Sequence, residues 1–517
     1  MERNEIIMLC AIGAYMLFTL FIGFRSSKKN KDVGDFYLGG RRLGPIVTAM
    51  SAEASDMSGW LLMGLPGVAY LTGICDAGWT AIGLAIGTYV NWLIVAKRLR
   101  TYSAANGSIT VPDFFANRYR DKSNALLLIS ALMIVIFFIP YTGSGFAACG
   151  KLFNGLFDID YHVAMIISAI VIVGYTSIGG FLAASTTDLI QSIVMSVALI
   201  IVLCFGVSSA GGLDAVIDNA NDLPGYMGMN STYDPVEGVS KTYGLLSICS
   251  TMAWGLGYFG MPHILLRFMA IEDKNKLKLS RRIASVWVVI SLGVATFIGV
   301  IGLGMTNADK IEKLEGSGNA EKIIVKIAQL LSSKGAFFAV IAGVILAGIL
   351  ASTMSTADSQ MLAASSSISE NILHKTFGIK LSEKQQMIFA RLSLVFIAAV
   401  GVIIAWNPDS SVFNIVSFAW AGFGAAFGPL MLFSLFWKRT TKWGALAGMV
   451  SGGAMVFIWK YGIAKLGGAF AIYELLPAFL TACIFIVVVS LLTPAPEQEI
   501  ADEFDAVIAA EHDAAAQ

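Results

Sequence analysis

Four carboxylates lie within or at the edges of long apolar stretches: Glu53, Asp56, Asp188 and Asp358. A carboxylate is costly to bury in such a setting, and where it occurs it marks an ion or proton pathway by default. Asp358 shares its stretch with Ser352, Ser355, Thr356 and Ser359, which recur at i, i+3, i+4 and i+7 and so form one hydroxyl stripe along a helix. Small hydroxyl residues in a stripe suit close packing of helices. They also suit a hard cation, which takes several oxygens in preference to nitrogen or sulfur. The sequence has no His or Cys cluster with metal-ligand spacing. It also has no nucleophile triad, phosphate loop or dinucleotide fingerprint, so the chain is not expected to be an enzyme or to carry an enzymatic cofactor.

The elements that hold these groups follow from composition. Of 517 residues, 56% are hydrophobic and 14% are charged, against roughly 25% charged in an ordinary globular protein. Mean hydropathy is +0.73. Lys+Arg and Asp+Glu are both 35, so formal net charge is zero. A soluble multi-domain enzyme, a disordered chain and a nucleic-acid binder are all excluded. Six cysteines are too few for a disulfide framework, and five of them (Cys10, Cys149, Cys204, Cys249, Cys483) read as small buried hydrophobes. A polytopic membrane protein remains, in contact with lipid and with no obligatory protein partner evident. A membrane span needs about 20 mostly apolar residues. Thirteen segments qualify: 5–24, 45–72, 76–96, 124–149, 161–178, 187–208, 243–266, 283–305, 336–372, 387–406, 411–437, 443–463 and 470–492.

The first span is followed, not preceded, by a basic stretch (Arg25, Lys28, Lys29, Lys31), so it is not a signal peptide. With the N-terminus outside and the C-terminus in the cytoplasm, 25 of the 35 Lys and Arg fall in inner loops, the sense of the positive-inside bias. One outer stretch, Lys310 to Lys334, mixes both charges and is expected to hold a short surface helix. The tail, 493–517, has seven acids and no Lys or Arg. It is expected to be solvated and partly helical, too short for a catalytic or signalling domain.

Two spans are punctuated by Gly and Pro: Ala54-Ser-Asp-Met-Ser-Gly-Trp-Leu-Leu-Met-Gly-Leu-Pro66-Gly67 in the second, and Met252-Ala-Trp-Gly-Leu-Gly-Tyr-Phe-Gly-Met-Pro262-His263 in the seventh. Such breaks survive in a membrane where protein buries them or where they line a cavity. The two are five places apart in the span order, so they cross in opposite senses. That is the pattern of two inverted repeats of five helices, about 45–208 and 243–437, within one transmembrane domain over 1–492. Paired broken helices in corresponding positions point to a midplane site in a secondary transporter.

These residues also carry a resemblance. Phe36-Tyr-Leu-Gly-Gly-Arg41 with Leu43-Gly44-Pro45, the segment Ser55 to Gly67, Trp254 to Gly260 with Pro262-His263-Ile264-Leu265, and Phe418-Ala-Trp-Ala-Gly-Phe-Gly-Ala-Ala-Phe-Gly-Pro429 resemble the sodium/solute symporter family, and its bacterial sodium/proline symporters in particular. The resemblance covers about residues 5–490. It implies an all-α fold with a LeuT-type five-helix inverted repeat and flanking helices, sodium as the coupling ion, and L-proline as the solute. It further implies sodium ligands in the carbonyls of Ala54, Met57 and Ser352 and the hydroxyls of Ser355 and Thr356, with Asp56 in support. Ser58, Trp60, Tyr141, Trp254, Tyr258 and Pro262 match the proline pocket. Apolar aromatic walls suit a pyrrolidine ring, and freed helix ends suit a zwitterion. Arg41, before the second span, is expected to gate release or to anchor the chain at the cytoplasmic face.

The sequence departs from the family pattern at two acids. Glu53 stands where a small residue is usual, and Asp358 where a serine is usual. Two expectations stay open: a second cation site from Asp188, Ser355, Asp358 and Ser359, or a neutral Glu53–Asp358 pair tying the second span to the ninth. Rival readings are another small solute such as pantothenate, proton coupling, a solute receptor, or a channel.

Overall fold

A computed structural model describes residues 2–27, 33–379 and 382–513. Lys28, Lys29 and Lys31 of the basic stretch and the last four residues of the tail lie outside these. The chain is almost wholly helical; a small antiparallel hairpin, β1 (Ser231–Asp234) with β2 (Val239–Thr242), pairs Ser231 with Thr242 and Asp234 with Val239.

Among the described residues, ten helices are long and apolar enough to cross a membrane. In chain order the elements that matter here are α1 (Arg3–Ser27), α2 (Pro45–Asp56), α3 (Trp60–Thr72), α4 (Ile74–Ala105), α5 (Val111–Arg118), α6 (Ala125–Phe157), α7 (Tyr161–Ser177) and α8 (Gly179–Ser209). They continue with α9 (Leu245–Gly260), α10 (Pro262–Ala270), α11 (Leu277–Asn307), α12 (Ile323–Ser332) and α13 (Ala336–Thr376). The last are α14 (Glu383–Ile404), α15 (Val412–Phe436), α16 (Lys442–Tyr461), α17 (Leu475–Leu492) and α18 (Gln498–Asp513). The second, fifth and seventh expected spans are not single long helices. The second is α2 plus α3, the fifth is the shorter α7, and the seventh is α9 plus α10.

Each interruption has a local cause. Between α2 and α3, Met57 leaves helical geometry at φ −83°, ψ 76°. At the start of α8, where the chain kinks away from α7, Gly180 takes φ 67°, a positive-φ conformation that glycine adopts without strain. Between α9 and α10, Met261 is extended (φ −77°, ψ 106°), as the residue before a proline prefers, and Pro262 starts α10 where no N–H is required. Where α4 crosses α9, a Cβ on Gly255 would overlap the Gly83 carbonyl, so the two backbones meet directly.

The core is continuous through the bundle, with Trp60, Trp420, Tyr141, Tyr258 and Phe137 among the largest fully buried side chains. Apolar side chains exposed on α1 (Leu17, Phe21), α11 (Val286, Ile290) and α14 (Leu392, Phe396) face outward, as a lipid-solvated surface requires.

Three sequence expectations change. Of the five cysteines read as buried, only Cys149 is; Cys10, Cys204 and Cys249 are exposed and Cys483 is half-buried, because an apolar run in a membrane helix has a lipid face. The outer stretch is not a surface helix: α12 buries Ile323, Ile324, Ile327, Ala328 and Leu331. The acidic tail is partly helical with an exposed acidic face, as expected, but it is also docked. Its helix α18 docks through Ile500, Phe504 and Val507, all under a tenth exposed and on one face at i, i+4 and i+7.

Candidate functional site

The α2–α3 break frees two carbonyls. In a continuous helix the Ser58 N–H would bond the Ala54 carbonyl and the Leu61 N–H the Met57 carbonyl. Here Ser58 N–H donates to the Asp56 carbonyl (3.0 Å) and Leu61 N–H to the Ser58 carbonyl (3.0 Å). The Ala54 carbonyl accepts instead from α13, from Ser355 Oγ at 2.7 Å and Thr356 Oγ1 at 3.4 Å. The same two hydroxyls each lie 3.1 Å from the Ser352 carbonyl. Ala54, Met57, Ser352, Ser355 and Thr356 are all buried. The expected sodium ligands Ala54, Ser352, Ser355 and Thr356 are thus together, an all-oxygen group without nitrogen or sulfur, and the Met57 carbonyl, three residues along, does not receive its helical bond from Leu61. Such a donor set fits a hard monovalent cation.

Two residues along, Asp56 organises a second group. Its carbonyl accepts from Trp60 Nε1 (3.1 Å) and Tyr141 OH (3.1 Å), and its carboxylate Oδ2 accepts from Tyr258 OH at 2.6 Å. Asp56 Oδ1 is buried with no hydrogen-bond partner. The Trp60 and Trp254 rings lie 6.1 Å apart, and Trp254 also stacks on Tyr473 at 5.3 Å. Ser58 is buried beside the break, 3.5 Å from the Trp60 N–H, and Pro262 sets the opposite break. The structure therefore joins Trp60, Tyr141, Tyr258 and Trp254 around Asp56. The Asp56 carboxylate turns toward this aromatic group and not toward the Ser355 hydroxyl.

Sequence reasoning missed three walls of this group: Phe413 (5.2 Å from Trp254), Trp420, whose Nε1 donates to the Trp254 carbonyl at 2.8 Å, and Tyr473. Trp420 lay inside a quoted motif without a role assigned. Phe413 and Tyr473 follow loops and have no local signal.

Of the four residues expected for a second cation site, Asp188, Asp358 and Ser359 come together, with Asp188 Oδ1 and Asp358 Oδ2 buried and without a hydrogen-bond partner, but Ser355 is directed elsewhere. Ser355 faces Ala54. The space between Asp188 and Ser359 holds a guanidinium: Arg267 on α10 donates to Asp188 Oδ2 (3.1 Å), Ser359 Oγ (2.6 Å), Ser51 Oγ (3.0 Å) and the His263 carbonyl (3.0 Å). Ser51 in turn donates to Asp188 at 2.6 Å, and Ser359 to Asp358 Oδ1 at 3.2 Å. Arg267 is 1% exposed. Counting it as an inner-loop charge was wrong, because α10 is still within the bundle at this point. Nor do Glu53 and Asp358 pair: Glu53 Oε1 accepts from Trp92 Nε1 on α4 at 2.9 Å.

Both ends of the site are closed. At one end, Arg41 donates to the Met269 carbonyl (2.6 Å), the Ser103 carbonyl (2.9 Å) and the Ser108 carbonyl (2.6 Å), while Leu43 bridges Ile271 in parallel. At the other, Lys151 and Glu321 form a buried ion pair at 2.6 Å. Glu321 also takes Ser411 Oγ (2.8 Å) and the N–H groups of Val412 and Phe413 (both 3.1 Å), the orphan donors at the start of α15.

Breaks in two helices, a buried hard-cation donor set and a buried aromatic group between two closed ends define an ion-coupled secondary transporter. The family model described as "Sodium:solute symporter family" matches residues 36–452, and the chain belongs to that family. It is 42% identical over 494 residues to the high-affinity proline transporter PutP of Bacillus subtilis (strain 168), covering 94% of this chain and 98% of that one. It is 40% identical over 492 residues to a sodium/proline symporter of Staphylococcus aureus, covering 94% and 92%. A solved Na+-coupled sialic acid symporter, in a substrate-bound outward-open state, superposes with TM-score 0.76 at 16% identity, covering 95% of this chain and 99% of that one, which places the fold in the LeuT-type class.

Proposed function

We propose that the protein imports L-proline together with sodium by alternating access. The observation that carries this is the shared break at residues 54–60, which presents an all-oxygen group on one side and an aromatic group centred on Asp56 on the other. Relatives at 40–42% identity over 94% of the chain are named as proline transporters or sodium/proline symporters. Sodium is held by Ala54, Met57, Ser352, Ser355 and Thr356. The pyrrolidine ring packs between Trp60 and Trp254, with Ser58, Tyr141, Tyr258 and Pro262 completing the pocket. The unpartnered Asp56 Oδ1 receives the proline ammonium, which gives Asp56 a pocket role in place of the expected support of the sodium site.

Arg267 occupies the position expected for a second cation, among Asp188, Asp358 and Ser359, so each proline travels with one sodium ion. Arg41 holds the cytoplasmic side shut, and Glu53, fixed by Trp92, braces α2 against α4. Residues 1–492 act as one transport unit, with repeats at 45–208 and 243–437 and the tail inside the cell. The N-terminus faces outward, which puts the Lys151–Glu321 pair on the outer side.

Proline uptake into proteoliposomes with and without an inward sodium gradient tests the reading. Uptake that is equally fast without sodium, or that an excess of another solute abolishes more effectively than proline does, overturns it.

A further inference from the structure

The acidic tail helix is fastened to four separate parts of the face that also carries Arg41. On α4, Arg98 Nε pairs with Glu511 at 2.7 Å and Lys97 Nζ donates to the Glu511 carbonyl at 3.1 Å. After α5, Arg120 pairs with Glu499 and, at 3.5 Å, with Glu503. After α10, Lys274 donates to the Ala510 carbonyl at 3.1 Å; after α15, Lys438 pairs with Asp505 at 2.5 Å. Beneath the helix, Phe504 lies 5.1 Å over the guanidinium of Arg118, which is 1% exposed and whose two terminal nitrogens have no hydrogen-bond partner. The docked helix is thus the cover of a buried cation as well as the acceptor of surface ones.

We propose that α18 is an autoinhibitory latch, sensitive to ionic strength, that restrains opening of the site to the cytoplasm. This rests on the transport reading above. Arg41 closes that side by joining the α4–α5 turn (Ser103, Ser108) to the end of α10 (Met269). Inward opening must part these elements. A helix bonded at once to α4, to the segment after α10, to the segment after α5 and to the end of α15 cannot follow all of them, so it must release first. Its outer ion pairs are half-exposed (Arg120 40%, Lys438 44%), and salt screens such pairs over a Debye length of about 8 Å at physiological strength. Rising ionic strength inside the compartment therefore loosens the latch while the transport site, buried in the bundle, is unaffected.

The test compares the full chain with a chain ending at Pro496, with Phe504→Asp, with Lys438→Glu, and with the reversed pair Lys438→Glu/Asp505→Lys. Sodium-driven proline uptake is measured at luminal ionic strengths of about 50 and about 300 mM, together with hydrogen exchange across 498–513. The full chain is expected to speed up about fivefold at the higher strength as the helix loses protection. The truncated chain and Phe504→Asp are expected to be fast at both strengths, Lys438→Glu to be intermediate, and the reversed pair to restore the wild-type response. Equal rates for full and truncated chains at both strengths overturn the latch, as does a helix that is unprotected at low salt. Absence of sodium-driven uptake by every form would instead overturn the transport reading, while salt-dependent protection of the helix would still report its docking.

Discussion

Replacing Arg267 tests the one-ion reading through an energy that can be worked out beforehand. The guanidinium makes four hydrogen bonds at 2.6–3.1 Å, one of them to Asp188, at 1% exposure. Arg267→Met leaves Asp188 buried without its counter-charge, and removing one partner of a buried pair costs about 3–5 kcal/mol. In Arg267→Met/Asp188→Asn both charges are gone, so most of that cost should return. The two substitutions are expected to couple by about 3 kcal/mol in unfolding free energy, measured on purified protein by denaturant titration. The transport assay carries a larger signal. One sodium ion moving down a tenfold gradient and 100 mV supplies about 3.7 kcal/mol, enough for about 500-fold accumulation of a zwitterion. Two ions would supply twice that, and about 2 × 10⁵-fold accumulation. The membrane potential at which net proline flux reverses, read at fixed gradients, separates the two ratios. A ratio of two in the native protein, or strictly additive substitutions, would refute the assignment of Arg267 as the resident cation.

Ser355→Ala removes a hydroxyl that touches both Ala54 and Ser352; at about 1.5–3 kcal/mol for a bond to a charged group, half-maximal uptake should need about 10- to 150-fold more sodium. Tyr258→Phe strips the donor to Asp56 Oδ2 and is expected to weaken proline affinity about tenfold, read by isotope binding, with little change in sodium dependence at saturating proline. Lys151→Met leaves Glu321 buried without its counter-charge, so it should destabilise the closure made by this pair and lower uptake far more than the reversed pair Lys151→Glu/Glu321→Lys does. Impermeant thiol reagent applied to intact cells should label a cysteine placed at Lys313 and spare one placed at Lys274; the opposite pattern would invert the proposed topology.

The parts of the fold legible in the sequence are those enforced by the solvent. Apolar length marks the spans, and Gly and Pro mark the breaks at residues 57–59 and 261–262, because each has a one-residue cause. The all-oxygen group was legible for the same reason: its hydroxyls repeat along one helix, which also supplies the Ser352 carbonyl, and the Ala54 carbonyl comes from the adjoining break. Arg267 was not. It sits five residues past Pro262 and just before a basic loop, so span counting assigned it to the interface. Only the docking of α10 against Ser51, Asp188 and Ser359, residues 79 to 216 positions away in sequence, turns it inward. Glu321 and Lys151 are hidden in the same way, each unremarkable in its own segment. The docking of the tail was missed because its seven acids outweigh Ile500, Phe504, Val507 and Ile508 in composition, whereas docking depends on Ile500, Phe504 and Val507 sharing a face above a basic surface.

Coupling between ion and solute follows from the two-residue distance between their groups on one backbone. The Ala54 carbonyl belongs to the oxygen cluster, and the Asp56 carbonyl is the acceptor for Trp60, Tyr141 and the Ser58 N–H. Without a cation, the Ala54 carbonyl is held only by hydroxyls of α13. On the proposed assignment, a sodium ion there draws Ala54, Met57, Ser355 and Thr356 onto one centre and so fixes the rotation of the break, and that rotation aims Asp56 and Trp60. By linkage the solute must favour the ion by the same factor, and couplings of this kind run to about 1–3 kcal/mol, or about 5- to 150-fold in affinity. Ser355→Ala should therefore lose sodium affinity and also reduce the factor by which sodium raises proline binding. If proline binding by that variant still responds to sodium by the native factor, the break is not the element that joins the two sites.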